Sequence, residues 1–369
     1  MRRRWLVVPG LLVAAAAYLA FWPSWVDPVA WTPARNPGWT GVFAPDSSTP
    51  SFERIPTGIG PEDVAVGPDG FLYTGLADDR IVRFTPEGSA MAEVAHTGGR
   101  PLGLGFDSDG RLIVADRDRG LLRVARDGEV ALLTDRAGGT RIGFADDLDI
   151  DGNGVVWFSD MTTRWPDDIP MDCWEGSASG RLLTYDASTR ETRVHTGGLQ
   201  FPNGVALGPG GHYVLVGETF AARITRIWID GPRAGEREPF LDALPGCVDN
   251  VSYNGRGLFW VALVGSRSAA FERLATRPFL RRVLTRVPGA DVPHPLPWLR
   301  RGRYDGCVLA VDTSGTVRTS LHDPGGYGAI TSVNEVGGVL FAGSIIQPAV
   351  ARISLQGLEI SLSNPGRAE

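Results

Sequence analysis

A short pattern of apolar and polar positions repeats along the chain. Each copy has a polar entry, an apolar or alternating strand, a turn of the Asp-Gly type, and a second strand such as FLYTG or RLIVAD. A further hairpin then ends near a phrase such as RIVRF or GLLRV. Alternation with a period of two, bounded by turn residues, is typical of β-strands joined by tight hairpins. The pattern therefore predicts many short antiparallel strands.

Six copies of this unit follow one another. They open at Gly60, Gly99, Phe144, Phe201, Cys247 and Ala329. Most are separated by roughly 40 to 57 residues, the length of a four-stranded propeller blade. Six such sheets close into a ring that leaves only short, protected edges. We therefore predict an all-β, six-bladed β-propeller over residues 51–369.

The interval between the fifth and sixth copies is longer than the others. Within it, Phe271, Leu274, Leu280 and Leu284 lie at near-helical spacing, and arginines fill much of the remainder. We predict a helical insertion over residues 265–303, between blades five and six. It either packs across one face of the propeller or lies on an anionic lipid surface.

The N-terminal residues follow a third pattern. Arg2–Arg4 precede an apolar run that ends at Trp22, near the lower limit for crossing a bilayer as a helix. Because basic residues stay cytoplasmic, we predict an N-terminal transmembrane helix over residues 1–22, with the propeller in a bacterial periplasm or at the cell surface. A cleaved signal peptide is the alternative. Residues 23–50, rich in Pro, Ser and Trp, are interpreted as a tether.

Composition changes this picture little. The 48 glycines and 27 prolines fit a chain with many turns, and the net charge of -6 gives no reason to expect nucleic acid as a partner. Cys173, Cys247 and Cys307 lie far apart and lack the spacing of a zinc site. The sequence has no GxSxG nucleophile motif, no HExxH motif and no phosphate-binding loop.

The entry positions of the repeat carry the candidate chemistry. In a propeller the first strand of each blade lines the central channel, so equivalent entry residues face one another across the axis. Four of the six copies supply carboxylates or carboxamides there, and the full set is Glu62, Pro101-Leu102, Asp146-Asp147, Asn203, Asp249-Asn250 and Thr331-Ser332. Oxygen ligands without His or Cys are typical of a hard cation, and calcium fits better than magnesium.

We therefore predict a divalent metal site, with Ca²⁺ as the expected ion. Its predicted ligands are Glu62, Asp146, Asn203, Asp249 and Asn250. A bound cation also explains how unpaired carboxylates can converge in a channel. Asp or Asn before glycine is an ordinary turn residue, so the metal interpretation depends on recurrence in phase with the repeat. By contrast, Asp116 and Asp160 end second strands and are expected to bind loop backbone at blade corners.

Several of these stretches resemble the strictosidine synthase-like family, which includes the adipocyte plasma membrane-associated proteins. The similar stretches are GRPLGL at 99, FADDLDI at 144, GRLLTYD at 180, LQFPNGVAL at 199, GCVDN at 246 and SLHDPGG at 320. This family is grouped with the gluconolactonase and paraoxonase propellers, so the resemblance implies a six-bladed propeller with a channel metal. It matches Glu62, Asn203, Asp249 and Asn250 to metal ligands of the related lactonases, and Asp146 to a position where they have Asn.

The resemblance implies a metal-dependent hydrolase of lactones or small aryl esters, in which water attacks a carbonyl polarised by the metal. The candidate catalytic residues are Asp146, Asp147 and Asp249, any of which can accept a proton from that water. One alternative is a non-catalytic binding propeller with a structural calcium. The other is a synthase or lyase acting on carbon–nitrogen bonds. Thr331 replaces the catalytic Glu of the plant synthase, and Leu102 replaces the His of the paraoxonases, so neither of those mechanisms is expected.

Overall fold

The computed structural model describes residues 4–45, 49–287, 294, 306–323, 326–358 and 360. Among these residues the strands form six four-stranded antiparallel sheets and one short hairpin. In five of the sheets the four strands are consecutive in the chain, as in propeller blades. The prediction of an all-β, six-bladed propeller is confirmed.

The strands are numbered in chain order, starting with β1 at Glu53–Pro56. Blade one contains β2 Ala65–Val66, β3 Leu72–Gly75, β4 Arg80–Phe84 and β5 Ala92–His96, and blade two contains β6 Pro101–Phe106, β7 Leu112–Asp116, β8 Gly120–Val124 and β9 Val130–Thr134. A short hairpin follows, with β10 Arg136–Ala137 and β11 Thr140–Arg141. Blade three contains β12 Ala145–Ile150, β13 Val155–Asp160, β14 Gly180–Asp186 and β15 Glu191–Leu199.

The last three blades follow the same order. Blade four contains β16 Pro202–Leu207, β17 Tyr213–Glu218, β18 Arg223–Trp228 and β19 Arg237–Leu241. Blade five contains β20 Gly246–Tyr253, β21 Leu258–Ser266, β22 Cys307–Asp312 and β23 Val317–Leu321. Blade six contains β24 Ile330–Val336, β25 Val339–Ser344 and β26 Ala349–Ser354. The fourth strand of blade six is β1, with Glu53 opposite Arg352 and Ile55 opposite Val350. The start of the chain therefore closes the ring.

Blades pack face to face through apolar side chains. Between blades two and three, Ile113 and Ala115 of β7 lie in one cluster with Leu148 of β12 and Phe158 of β13. Burying a side chain of this size contributes roughly 1.5–3 kcal/mol. Strands in the middle of each blade are covered on both faces, and all five residues of β7 are buried. This explains why the second strand of each repeat is a continuous apolar run rather than an alternating one.

The first strand of five blades has the same irregularity. The pairing register shifts between Pro101 and Leu104, and the same shift occurs at the equivalent place in blades three to six: Ala145/Leu148, Pro202/Val205, Val248/Val251 and Ile330/Val333. Each shift takes the two entry residues of the repeat out of the ladder. A bulge of this kind re-aims side chains, so the entry pairs are directed away from the regular pleat.

A small helical cap covers one face of the ring. It consists of α2 (Ile169–Glu175), inserted in blade three, and of α3 (Ala269–Ala275) and α4 (Pro278–Leu284). The latter two helices lie between β21 and β22, so this insertion is within blade five, whereas the sequence interpretation placed it between blades five and six. Residues 288–305, apart from residue 294, lie outside the described residues. The longer connection is therefore internal to one blade.

The N-terminal segment, called the strap (residues 22–45), packs on this cap. Val26 lies in one apolar cluster with Trp174 of α2 and Phe271 of α3. The buried Arg281 of α4 donates to the carbonyl oxygens of Val29, Trp174 and Ala275, and so joins the strap to two helices. The segment interpreted as a tether is therefore fastened to the propeller over its described length.

Before the strap lies α1 (Arg4–Phe21), where the sequence predicted a transmembrane helix. Within the part of the chain that the structure describes, no helix combines the length and the hydropathy needed to span a bilayer. The prediction of a membrane-spanning helix is therefore not supported.

Candidate active site

The entry pairs form two stacked rings around the channel; the structure extends the blade-one pair to Glu62-Asp63 and moves the blade-two pair from Pro101-Leu102 to Leu102-Gly103. The first members, here called the upper ring, line one cavity: Glu62, Leu102, Asp146, Asn203, Asp249 and Thr331. Of the second members, Asp63, Asp147, Asn250 and Ser332 line a separate cavity. Together with Gly103 and Gly204 they make the lower ring. The sequence-predicted residues are therefore brought together, but they divide between two levels of the channel.

Glycine in the lower ring allows the blades to approach closely. A Cβ atom on Gly103 would lie 2.7 Å from the carbonyl oxygen of Asp146, and one on Gly204 would lie 2.6 Å from the Cα of Asn250. Contacts this short require the backbone to move. The Leu102-Gly103 and Asn203-Gly204 pairs thus keep blades two and four tight against their neighbours.

The upper cavity, beneath the cap, has a volume of about 460 Å³. Its floor is the upper ring, and most of its wall is apolar, including Phe144, Met161, Ile169, Phe201 and Phe220. An apolar wall with a few convergent polar groups is the usual form of a small-molecule site. The lower cavity, at about 210 Å³, is smaller and mostly polar.

The acids of the upper ring act on one another electrostatically. Burial raises the pKa of Glu62 well above its usual range, and the charge of Asp146 raises it further. Burial and Asp249 do the same for Asp146, and burial and Glu62 do so for Asp249. Three mutually repelling carboxylates thus share one buried place, an arrangement that a cation would relieve.

Several oxygens of this group lack a hydrogen-bond partner. Glu62 Oε2, Asp146 Oδ2, Asn203 Oδ1 and Asn250 Oδ1 are all buried without one. The amide of Asn250 donates to Glu62 Oε1 at 3.4 Å, and the side chain of Asn203 hydrogen-bonds the carboxylate of Asp249. Asn250 thus directs its amide nitrogen to an acid, and both amides leave their oxygen without a partner. Unsatisfied buried oxygens from four blades are the ligands that a hard cation requires.

Carboxylates alone do not make this shell. Among the described residues, no group of three or more His, Cys, Asp or Glu side chains is arranged to hold a metal ion. A cation at the upper ring therefore needs the amide oxygens of Asn203 and Asn250 besides the acids. Such mixed oxygen ligation is common for calcium.

Asp147 lies apart from the other candidate catalytic residues. Its Oδ2 accepts a hydrogen bond from the backbone of Val205 at 2.8 Å, and it lines the lower cavity. Asp63 makes the equivalent bridge from blade one to Leu104 of blade two at 3.0 Å. These acids join neighbouring blades. The only sequence signal for this role is their place as the second residue of an entry pair.

The acids at the ends of second strands have a different role. Asp116 Oδ1 accepts hydrogen bonds from the backbone of Arg100 and Arg119, and Asp160 Oδ1 accepts them from Gly143 and Phe144 at 2.9 Å. The expectation that these two acids hold blade corners is confirmed.

Arg100 is a site residue that the sequence interpretation missed. It lines the upper cavity, and its Nη1 is buried without a hydrogen-bond partner. Its position directly before the entry pair of blade two was the available signal. At the sixth-blade entry, the Thr331 hydroxyl donates to the backbone oxygen of Glu62 at 2.6 Å, so it braces a candidate ligand.

Comparison with known proteins places these features in a family. The strictosidine synthase model matches residues 146–232, and a model of the N-terminal region of strictosidine synthase-like proteins matches residues 41–84. The adipocyte plasma membrane-associated protein of Rattus norvegicus is 33% identical over 362 residues, covering 90% of this chain and 94% of the relative. The chain belongs to the strictosidine synthase-like family. Strictosidine synthase-like 6 of Arabidopsis thaliana is also 33% identical, over 88% of this chain and 89% of the relative.

Solved structures place this strictosidine synthase-like chain in a wider fold group. A gluconolactonase from Xanthomonas campestris superposes with a TM-score of 0.62 and 16% identity, covering 90% of this chain and 99% of that one. A calcium-binding regucalcin from Agrobacterium tumefaciens gives a TM-score of 0.57 and 15% identity, over 82% and 94%. At this identity the likeness shows the fold alone.

Proposed function

We propose that the protein is a divalent-metal-dependent hydrolase of lactones or small esters, with calcium as the metal. The observation that carries the proposal is the set of buried, unpartnered oxygens of Glu62, Asp146 and Asn203 at the floor of the upper cavity, with that of Asn250 in the ring below. The cavity has room for a small ester, and its apolar wall suits an uncharged substrate. The fold shared with a gluconolactonase and with a calcium-binding regucalcin is consistent with this chemistry.

The ring residues divide into two roles. We assign the cation to Glu62, Asn203, Asp249 and Asn250, and a bound cation would supply polarisation of the substrate carbonyl. The apolar wall orients the substrate with its acyl carbon over the ring and excludes bulk water. In the reaction, a water oxygen bonds to the acyl carbon and the acyl carbon–oxygen bond to the leaving group breaks.

Asp146 is the favoured proton acceptor among the three candidate acids. Its Oδ2 has no hydrogen-bond partner and lies in the ring that floors the cavity. The carboxylate of Asp249 is engaged by the Asn203 side chain and the Asn250 backbone, and Asp147 faces the lower cavity. Asp146 would take the proton of the attacking water and return it to the leaving alkoxide, so that an acid and an alcohol are released.

The test is hydrolysis of a panel of lactones and aryl esters by the purified protein. We expect activity that chelation removes and added calcium restores, and that Glu62→Gln lowers by at least about 100-fold, because even residues that only orient a metal ligand contribute up to about 100-fold. Glu87→Gln is the matched control, because Glu87 is exposed in a turn of blade one. Activity that resists chelation, or its absence across the panel, would contradict the proposal.

A binding propeller is the second candidate. It is favoured by the two upper-ring positions that carry no catalytic group, Leu102 and the hydrogen-bonded Thr331. In that case the cation only stiffens the channel, and Asp146→Asn would leave ligand capture intact. The same Thr331 argues against carbon–nitrogen bond synthesis, because it supplies no carboxylate.

We also propose that the N-terminal region associates with a membrane from the outer side. The relative from Rattus norvegicus is named a plasma membrane-associated protein, and the side chains of Val8, Leu11, Leu12 and Val13 on α1 are exposed. Apolar side chains in the headgroup region give reversible attachment. Removal of residues 1–22 should move the protein from the membrane fraction to the supernatant. Unchanged fractionation would contradict this attachment.

A further inference from the structure

One arginine lines the same cavity as the acids of the upper ring. Arg100 directly precedes β6 and lines the upper cavity. Its Nη2 donates to the carbonyl oxygen of Gly60 at 2.8 Å, and its backbone nitrogen donates to Asp116 Oδ1 at 3.2 Å. Both ends of the residue are therefore fastened, which holds the guanidinium in place beside the ring.

The guanidinium and the ring acids affect one another. Burial lowers the pKa of Arg100 below its ordinary value, while the charges of Glu62 and Asp146 raise it. In return, Arg100 acts to lower the pKa of both acids. Because its Nη1 has no hydrogen-bond partner, the side chain acts here mainly through its charge.

The positive charge of Arg100 compensates part of the negative charge of the site. Glu62, Asp146 and Asp249 bring three negative charges into a buried place. A divalent cation offsets two of them and Arg100 offsets a third, while the charge of Asp63 in the lower ring also acts on Glu62 and Asp146. Burial of uncompensated charge is expensive, so each compensating charge reduces a large penalty.

We infer that Arg100 is the positive member of the candidate metal centre, compensating Asp146 and setting how tightly the ring binds a divalent cation. The inference rests on the proposed metal site and adds to it a residue that comes from outside the entry pairs. Two opposite effects follow. The guanidinium repels an incoming cation and so weakens its binding, but it stabilises the protein when no cation is bound.

Calorimetric titration with calcium chloride, after removal of bound metal and at neutral pH, measures the first effect. We expect Arg100→Gln to bind calcium about tenfold more tightly than wild type, because the substitution removes a positive charge from the buried cavity that holds the ring. Arg100→Lys keeps the charge and should stay within about twofold of wild type. Arg117→Gln is the matched control, since Arg117 lines the same cavity but its guanidinium lies over the Phe144 ring.

Urea unfolding in the presence of a chelator measures the second effect. Arg100→Gln should lower the unfolding midpoint, Asp146→Asn should raise it, and the double variant should lose most of the Arg100→Gln penalty. An equal penalty in both backgrounds would overturn the inference. So would calcium affinity unchanged in Arg100→Gln, or an Arg100→Lys variant that behaves like Arg100→Gln.

The two proposals fail in different ways. A wild-type protein that binds no divalent cation would remove the metal from the proposed function, and this inference would fall with it. A wild-type protein that binds calcium and hydrolyses esters, but whose affinity is indifferent to Arg100, would overturn this inference alone.

Discussion

Two sets of buried acids differ in what surrounds them. In the corners, Asp160 Oδ1 accepts two backbone hydrogen bonds and its Oδ2 accepts the guanidinium of Arg181. Glu218 is held in the same way by the Gln200 backbone and by Arg223. In the upper ring, Glu62 and Asp146 each keep one buried oxygen without a partner.

The difference separates structural acids from candidate functional ones. Both sets are buried at equivalent places of a repeat, so neither burial nor periodicity distinguishes them. What distinguishes them is whether hydrogen-bond donors surround the carboxylate. An acid whose oxygens all accept hydrogen bonds stabilises the fold, and an acid with an unpartnered oxygen is a candidate ligand-binding group. The corner acid of blade two is intermediate between the two sets, because Asp116 Oδ1 accepts several hydrogen bonds and its Oδ2 has no hydrogen-bond partner.

The largest expected effect is on the corner side of the comparison. Asp160→Ala leaves Arg181 buried without its partner, and we expect a loss of about 3–5 kcal/mol in the free energy of unfolding. Calcium affinity of the folded fraction should stay within about twofold of wild type. Urea unfolding and calcium titration check the two halves. A stability loss under 1 kcal/mol would mean that the corner acids are not the structural set.

The second effect concerns Asp149, whose pKa is raised from 3.8 to about 6 by burial. Because the folded form holds its proton more tightly than the unfolded chain, this group favours folding at low pH. That contribution is lost as the pH rises from about 4 to about 6, by up to about 3 kcal/mol. Urea unfolding of wild type and Asp149→Asn across this range measures it, and a parallel pH dependence in the two proteins would contradict it.

Metal removal gives the third effect. Calcium at 100 times its dissociation constant should stabilise the wild-type protein by about 2.7 kcal/mol, because it binds only the folded state. Glu62→Gln should lose most of this gain, whereas the exposed control Glu87→Gln should keep it. Thermal unfolding with and without a chelator is the measurement. Equal melting temperatures in both conditions for the wild type would argue against a cation at the ring.

The smallest expected effect is the most diagnostic, because the substitution should raise the free energy of unfolding, whereas most substitutions lower it. Without metal, Asp146→Asn removes one of three repelling charges and should raise the free energy of unfolding by about 1 kcal/mol. The same exchange at Asp160, which removes an acceptor of the Arg181 guanidinium, should lower it. Chelator-treated samples of both variants, unfolded in urea, make the comparison. Destabilisation of equal size at both positions would abolish the distinction between the two sets.

Much of this arrangement could be predicted from the sequence, because it depends on the repeat. The phase of the repeat located the entry pairs, and the same phase located Asp116 and Asp160 at the corners. The two residues of each pair were not distinguished, since in five blades their assignment to two levels comes from the register shift at the start of the first strand. No local signal marks that shift.

Other features arise from contacts between distant parts of the chain. Arg281 joins the strap to α2 by bonding Trp174 and Val29, which lie 107 and 252 residues before it in the chain, and no sequence pattern links these three positions. The insertion was placed between blades because its length was visible and the continuation of blade five beyond it, at Cys307–Asp312, was not recognised. Arg100 was passed over because its only signal was its place just before the entry positions of blade two, and no other repeat has an arginine there.

Ring closure by β1 also constrains when the protein becomes complete during synthesis. Glu53 pairs with Arg352, so the first strand must wait for almost the entire chain before it has a partner. Contacts this distant in sequence are slow to form, and an open ring exposes the edges of its first and last blades meanwhile. We expect nascent chains that stop before residue 349 to be degraded by protease at Glu53–Pro56, while longer ones resist. A nascent chain that has folded five blades on the ribosome would still lack its closed ring.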